Sequence, residues 1–255
     1  MLKRVLSQLA RTDPIRWYLP DKLMRMQLVQ YAIDRLGART YLEIGVDEGQ
    51  SFCAIKATVK IGVDPLAPRP AVALELTKAG VSYFQQTSDD FFAASAPMAL
   101  LSGVDVAFID GLHTYVQTFR DINNVLRHLN PGGIILVHDC LPASAEEARV
   151  AESYDEAWRL NGAGWSGLWT GDGWKAIVAV RSGHAPGHGF VMHCDHGVGV
   201  VYKSAAPALL GLSPGEIDRL EYSVLAADPE RLLGLSRPNR LRGVISRLRS
   251  ERRPS

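Results

Sequence analysis

Thr40-Tyr41-Leu42-Glu43-Ile44-Gly45-Val46-Asp47-Glu48-Gly49-Gln50-Ser51 begins as a short apolar run, bends at one glycine and reaches a second glycine four residues later. The run up to Ile44 reads as a buried strand. The two glycines read as a turn whose backbone can approach a ligand, and Ser51 opens a helix whose first amides point back at that turn. Upstream, Asp21 after Pro20 marks a helix start, and Met24, Leu28, Tyr31, Ala32 and Arg35 recur at helical spacing until Gly37. Downstream, strand and helix alternate. Residues 59–64, 81–85, 104–110 and 133–138 read as strands, and residues 71–79, 89–94 and 145–160 as helices. The clearest helix lies between the last two of these strands, where Tyr115, Phe119, Ile122, Leu126 and Leu129 step by three and four along one face before Asn130-Pro131-Gly132-Gly133. Residues 174–180, 189–193 and 198–202 then read as strands with no helix between them. This order predicts an α/β fold with a doubly wound, Rossmann-like sheet, mostly parallel and closed by an antiparallel strand.

Three segments are expected. Residues 1–37 form an N-terminal helical lid that includes Trp17-Tyr18-Leu19-Pro20, residues 38–205 a catalytic domain, and residues 206–255 a helical, basic tail. The tail holds seven arginines and one glutamate from Arg237 onward, a net of +6. The whole chain stands at +1, so residues 1–236 carry −5. A solvated end accounts for such a tail at least as well as a contact with acidic lipid or nucleic acid, and no nucleic-acid partner is expected. Cys53, Cys140 and Cys194 are few, odd in number and far apart, which suits a reducing compartment and a cytoplasmic location. No stretch approaches the ~20 apolar residues of a membrane span. A homo-oligomer is compatible with all of this.

Ligands of such sheets bind beyond the carboxyl ends of the strands, where strand order reverses. The turn Glu43 to Ser51 lacks the Gly-x-Gly-x-x-Gly spacing of a dinucleotide loop and carries an acid before its first glycine. A carboxylate there would repel a pyrophosphate but suits the sulfonium and ammonium of S-adenosylmethionine. Asp64, nineteen residues after Gly45, ends the second strand, where an acid can accept both ribose hydroxyls. Thr87-Ser88-Asp89 follows the third strand and can meet the adenine amine. The expected donor site is therefore Glu43, Gly45, Val46, Gly49, Ser51, Asp64, Ser88, Asp89 and Asp110.

Residues 41–51, 81–92 and Val104-Asp105-Val106-Ala107-Phe108-Ile109-Asp110-Gly111-Leu112-His113-Thr114-Tyr115, with Pro131 through His138-Asp139, resemble class I methyltransferases over roughly residues 38–203. They are similar in particular to small-molecule O-methyltransferases that include macrolide sugar O-methyltransferases and, more distantly, catechol O-methyltransferase. The resemblance implies S-adenosylmethionine as methyl donor and a small-molecule hydroxyl, on a sugar or glycoside, as acceptor. It also implies a base at the Asp-x-x-His position, His113, beside Asp110. A neutral imidazole suits that task near pH 7.

Asp110 and Asp139 end adjacent strands and can hold Mg²⁺ between them, which would polarise the acceptor oxygen. Related metal-dependent enzymes carry two consecutive oxygen ligands at this second position. Here Cys140 follows Asp139 and His138 precedes it, and sulfur is a poor ligand for Mg²⁺. A metal-independent N- or phenol O-methyltransferase and a non-catalytic nucleoside-binding protein are the alternatives.

Two further clusters carry both a chemical and a bland reading. His184, His188, His193 and His196 with Cys194 have a zinc-like density, but their Gly-rich setting between two strands reads as a solvated hairpin away from the cleft. Trp165, Trp169 and Trp174 can stack on a ring substrate or simply pack the core.

Overall fold

The computed structural model describes residues 23–205 and 207–252. In chain order its elements are α1 (Arg25–Leu36), β1 (Thr40–Ile44), α2 (Gln50–Ala54), β2 (Val59–Asp64), α3 (Pro70–Glu75) and β3 (Val81–Gln85). A short α4 (Ser88–Asp90), a π-turn (Phe91–Ser95) and α5 (Ala96–Ala99) lead to β4 (Val104–Ile109), α6 (Tyr115–His128) and β5 (Leu129–Val137). Then come α7 (Tyr154–Asn161), α8 (Trp174–Arg181), β6 (His188–Met192) and β7 (Val198–Tyr202). Four C-terminal helices complete the chain, α9 (Pro214–Asp218), α10 (Tyr222–Ala227), α11 (Pro229–Leu233) and α12 (Arg240–Glu251). The expected lid sequence Trp17 to Pro20 lies outside the described residues.

The seven strands form one sheet in the order β3-β2-β1-β4-β5-β7-β6. All pairs from β3 to β5 are parallel, and β7 runs antiparallel to both of its neighbours. The antiparallel strand expected to close the sheet is thus the last in sequence but lies one place in from the edge. Side-chain alternation splits the core between the two faces. Leu42, Ile44, Ala107, Ile109, Ile135 and Val137 pack on the side of α6 and α8. Tyr41, Val106, Phe108, Ile134 and Leu136 pack on the side of α1 and α12. Helices on both faces explain why β4 is buried along its whole length and reads as a nearly continuous apolar run.

Two expectations are corrected. Residues 174–180 are a helix, not a strand. Every residue of α8 is buried, because the helix sits between the sheet, α6, α9 and α11. A helix covered all round has no polar stripe, so its β-branched run Ala176 to Val180 imitates a buried strand. Topology also requires it, since β5 and β6 run in the same direction and parallel strands need a crossover. The helix expected over 145–160 shrinks to Tyr154–Asn161, with the preceding residues forming turns around Glu147.

The basic C-terminal segment is built into the cover of the sheet. Leu241, Val244, Ile245 and Leu248 of α12 are buried against the face that carries α1. The Arg240 guanidinium lies 4.1 Å from the Phe190 ring centre, Arg247 lies 4.8 Å from that of Tyr202, and Arg252 pairs with Asp105. Part of its positive charge therefore serves packing. Among the described residues no helix is long and apolar enough to cross a membrane.

Candidate functional site

Strand order reverses between β1 and β4, and the carboxyl ends of β1 to β5 open there into a cleft of about 740 Å³. Its tightest point is Gly45. The backbone there has φ +83°, and a Cβ would stand 2.0 Å from the Asp110 carbonyl oxygen. Only glycine lets the turn after β1 touch the turn after β4. Of the expected donor residues, all but Gly49 line the cleft. Gly49 instead packs its Cα against Val72, which leaves no room for a side chain.

At the β2–β3 end, Asp64 accepts the backbone N–H of Asp47 at 2.9 Å on one oxygen and that of Leu66 at 2.8 Å on the other. Its carboxylate is held facing the cleft with lone pairs to spare. Ser88 and Asp89 are gathered by one amide. Gln117 Nε2 donates to Ser88 Oγ (3.0 Å), Asp89 Oδ1 (3.3 Å) and Asp121 Oδ1 (3.1 Å). Asp89 also pairs with Arg120. Burial pushes the Asp121 carboxyl up to about 6. Deep in the middle, Glu43 is 1% exposed and accepts the Tyr41 hydroxyl proton. Burial pushes its carboxyl up to about 8, against the lowering effect of that hydroxyl.

At the β4–β5 end the charges crowd. His113 Nε2 lies 3.6 Å from Asp110 Oδ1 and 3.3 Å from Asp139 Oδ2, and these ligand atoms all fall within 4.8 Å of one another. His113 Nδ1 faces the Trp169 carbonyl oxygen at 3.1 Å, so Nε2 carries the ring's available lone pair in the neutral form. The Trp169 ring leans on the imidazole with centres 5.1 Å apart. Burial alone would depress the His113 pKa, but Asp110 and Asp139 outweigh it and raise it. His138 sits between the same acids, Nδ1 being 3.2 Å from an oxygen of each. Its other nitrogen is 3.6 Å from Asp195. Burial opposes its charge, yet three carboxylates hold it as an imidazolium, pushed up to about 12. Asp139 itself takes a left-handed backbone, φ +54°.

Cys140 turns its sulfur inward onto the Val137 and His138 carbonyls, and burial pushes its thiol up. It offers nothing to the cleft. The Asp110 and Asp139 carboxylates at this spacing can bracket a single divalent ion, and their oxygens suit Mg²⁺, with His113 Nε2 beside them.

Sequence reasoning passed over several of these groups. Arg25, on the first turn of α1, places Nε 3.6 Å from Asp110 and Nη1 3.5 Å from Asp195. Asp195 comes from the β6–β7 hairpin, which does not itself line the cleft but touches two residues that do, Arg25 and His138. Its histidines scatter. His184 faces the Leu212 carbonyl, His188 stacks on Tyr202 and His196 stands edge-on to His138, so no zinc site assembles among the described residues. The tryptophans also part company. Trp174 is core, Trp165 joins Tyr154 and Trp158 near the surface, and Trp169 alone reaches His113.

Residues 42–140 match the model of a methyltransferase domain, so this stretch is a methyltransferase domain. The chain is 30% identical over 112 residues to an uncharacterized protein of Acanthamoeba polyphaga mimivirus. That match takes in 39% of this chain and 51% of the viral protein, so the chain spans about half the length of this curated relative. Among solved structures, a Staphylococcus aureus protein described as a caffeoyl-CoA O-methyltransferase superposes with a TM-score of 0.51 at 12% identity, covering 79% of this chain and 91% of that one. A Klebsiella pneumoniae protein described as an O-methyltransferase gives 0.51 at 17% identity, over 80% and 90% of the two chains. The O-methyltransferase from Bacillus cereus in complex with SAH gives 0.51 at 11%, over 78% and 90%. At these identities the likeness shows the class I methyltransferase fold.

Proposed function

We propose that this chain, built on a methyltransferase domain of class I fold, transfers a methyl group from S-adenosylmethionine to a hydroxyl of a small molecule, a sugar or glycoside being the favoured acceptor. The observation that carries the reading is one continuous cleft. Asp64 and Glu43 stand where an adenosyl cation needs acids, and His113 Nε2 stands beside Asp110 and Asp139 at the other end. The donor, when bound, supplies an electrophilic methyl on a sulfonium. Asp64, fixed by two backbone amides, receives the ribose hydroxyls, and Ser88 and Asp89 face the base. Glu43 supplies negative charge to the amino-acid half as it ionises.

The chain's own contribution to the transfer is alignment and proton removal. His113 takes the acceptor's hydroxyl proton on Nε2 as the new O–C bond forms and the S–C bond breaks, leaving a neutral thioether. The contact from Nδ1 to the Trp169 carbonyl holds the ring in the tautomer that can do this. Asp110 and Asp139 would hold Mg²⁺, which when bound lowers the pKa of a coordinated hydroxyl.

A metal-independent transfer is the second reading. His138 and Arg25 already set positive charge against the same carboxylates, which favours it. Addition of a chelator, with Mg²⁺ restored afterwards, separates the two. The primary test is calorimetry of the purified chain with S-adenosylmethionine and S-adenosylhomocysteine, followed by methyl-transfer assays on a panel of sugar, phenol and amine acceptors. Micromolar binding and transfer to oxygen are expected. Binding of neither adenosyl compound would refute the proposal.

A further inference from the structure

The donor cleft is heavily acidic. Among the described residues, eight that line it are aspartate or glutamate, and Arg25 is the one arginine or lysine there. The proposed donor brings two positive groups, the sulfonium and the ammonium, but also a carboxylate, and a carboxylate entering such a cleft needs a cation.

Strand order says where it goes. Asp64 on β2 and Ser88 beyond β3 mark the adenosyl end, so the amino-acid end points across β1 towards β4 and β5. Arg25 lies on that side, against Asp110 beyond β4 and Asp195 beyond β6. Its Nη1 is taken by Asp195, and its backbone N–H donates to the same carboxylate at 2.6 Å, which fixes the start of α1 over the cleft. Its Nε is different. This atom is buried and has no hydrogen-bond acceptor among the described residues, since Asp110 at 3.6 Å is an ion-pair neighbour beyond hydrogen-bond reach. A buried guanidinium nitrogen left without an acceptor at the rim of a ligand cleft is costly unless a ligand completes it.

We infer that Arg25 is a specificity-determining residue for the methyl donor, its guanidinium binding the α-carboxylate of the amino-acid half. The inference rests on the donor proposed above. It makes α1 part of the donor site, so that the carboxylate, Asp110 and Asp195 share one guanidinium and donor binding pins the helix to the ends of β4 and β6. Glu43 meets the ammonium from below while Arg25 meets the carboxylate from above, and the two together read an α-amino acid by its opposite charges.

The test compares S-adenosylhomocysteine with its decarboxylated analogue, S-adenosyl-3-thiopropylamine, by calorimetry on the wild type and on R25A and R25K. The analogue keeps adenosine, sulfur and ammonium and lacks the carboxylate. The wild type should prefer S-adenosylhomocysteine, and R25A should lose roughly 10- to 100-fold on it while holding the analogue within about twofold. R25K, which keeps the charge but not the fork, should recover part of the loss. An equal loss on both ligands would mean that Arg25 only shapes the cleft, and an unchanged affinity for S-adenosylhomocysteine would remove it from the site. Either result overturns the inference. Should the wild type bind neither compound, it is the donor assignment that fails.

Discussion

His113 is tied to Trp169 by a side-chain contact of 3.1 Å from Nδ1 to the carbonyl oxygen, across 56 residues of sequence. The loop that follows Trp169 completes the clamp. Gly173 donates its N–H to the His113 carbonyl at 3.1 Å, and Asp172 accepts the Tyr115 N–H at 2.7 Å at the start of α6. Gly171 is the weak point of this arrangement, because its φ is +59° and a Cβ would meet the His113 carbonyl oxygen at 2.0 Å. Gly171→Ala should therefore push the loop off His113, lowering kcat without weakening donor binding. The strain should cost about 1–3 kcal/mol of stability. His113→Ala should lower kcat by about 10²- to 10⁴-fold with the same donor affinity. Stopped turnover together with intact S-adenosylhomocysteine binding is the signature sought, and full turnover in His113→Ala would take the residue out of the mechanism.

Asp110 and Asp139 face the same imidazole from different strands. If they hold a divalent ion, Asp139→Asn should weaken metal affinity by at least the roughly 10- to 100-fold that loss of a mere outer-shell partner costs. Activity should then recover at raised Mg²⁺ concentration. Turnover that is indifferent to chelator in the wild type would leave His138 and Arg25 as the cationic partners of these acids and support the metal-independent reading.

Much of this was readable from residue order. The five parallel strands were apparent because each is a short apolar run flanked by a glycine or acid, and the cleft residues were apparent because they sit at strand ends. The strand at 174–180 was misread for a physical reason. A helix buried on every side loses the polar stripe by which helices are recognised, leaving only its β-branched composition. Arg25, Asp195 and the Trp169 carbonyl were invisible for another reason. Arg25 reaches the cleft from a helix start, whereas Asp195 and Trp169 touch its lining residues from a hairpin and a loop, the latter through its backbone. His138 stood next to Asp139 in plain view, but its role depends on Asp110 and Asp195, which only the sheet brings to it.

If the donor binds as proposed, Glu43 should make its binding a proton-coupled event. With its carboxyl pushed up to about 8 by burial, it is mostly neutral at pH 7 in the empty cleft. The donor's cationic half favours the ionised form, so binding expels a proton. Affinity for S-adenosylhomocysteine should rise by up to about tenfold per pH unit as the pH approaches 8, then level off. Calorimetry in buffers of different ionisation enthalpy will count the proton. Tyr41→Phe removes the hydroxyl that favours the carboxylate, so the levelling point should move to higher pH. A pH-independent affinity in the wild type would contradict the coupling.

Asp121 carries a stability cost that mutation can recover. It is 1% exposed, and burial pushes its carboxyl up to about 6, although Ser88 and Gln117 hold it down in part. An acid whose folded pKa lies above its unfolded value favours the native state only while protonated. That contribution is complete below pH ~4 and is lost as the pH rises through about 6. Each pH unit of displacement is worth ~1.4 kcal/mol, so Asp121→Asn should stabilise the fold by about 2–3 kcal/mol at pH 7.5 and change it little at pH 4. Urea unfolding at the two pH values reads this directly. Because Asp121 shares the Gln117 amide with Ser88 and Asp89 at the adenosyl end, the same variant should weaken S-adenosylhomocysteine binding. A variant more stable at pH 7.5 but poorer at holding the nucleoside would identify the buried acid as a stability cost kept for the ligand. A variant less stable at both pH values would mean that its hydrogen bonds outweigh its burial.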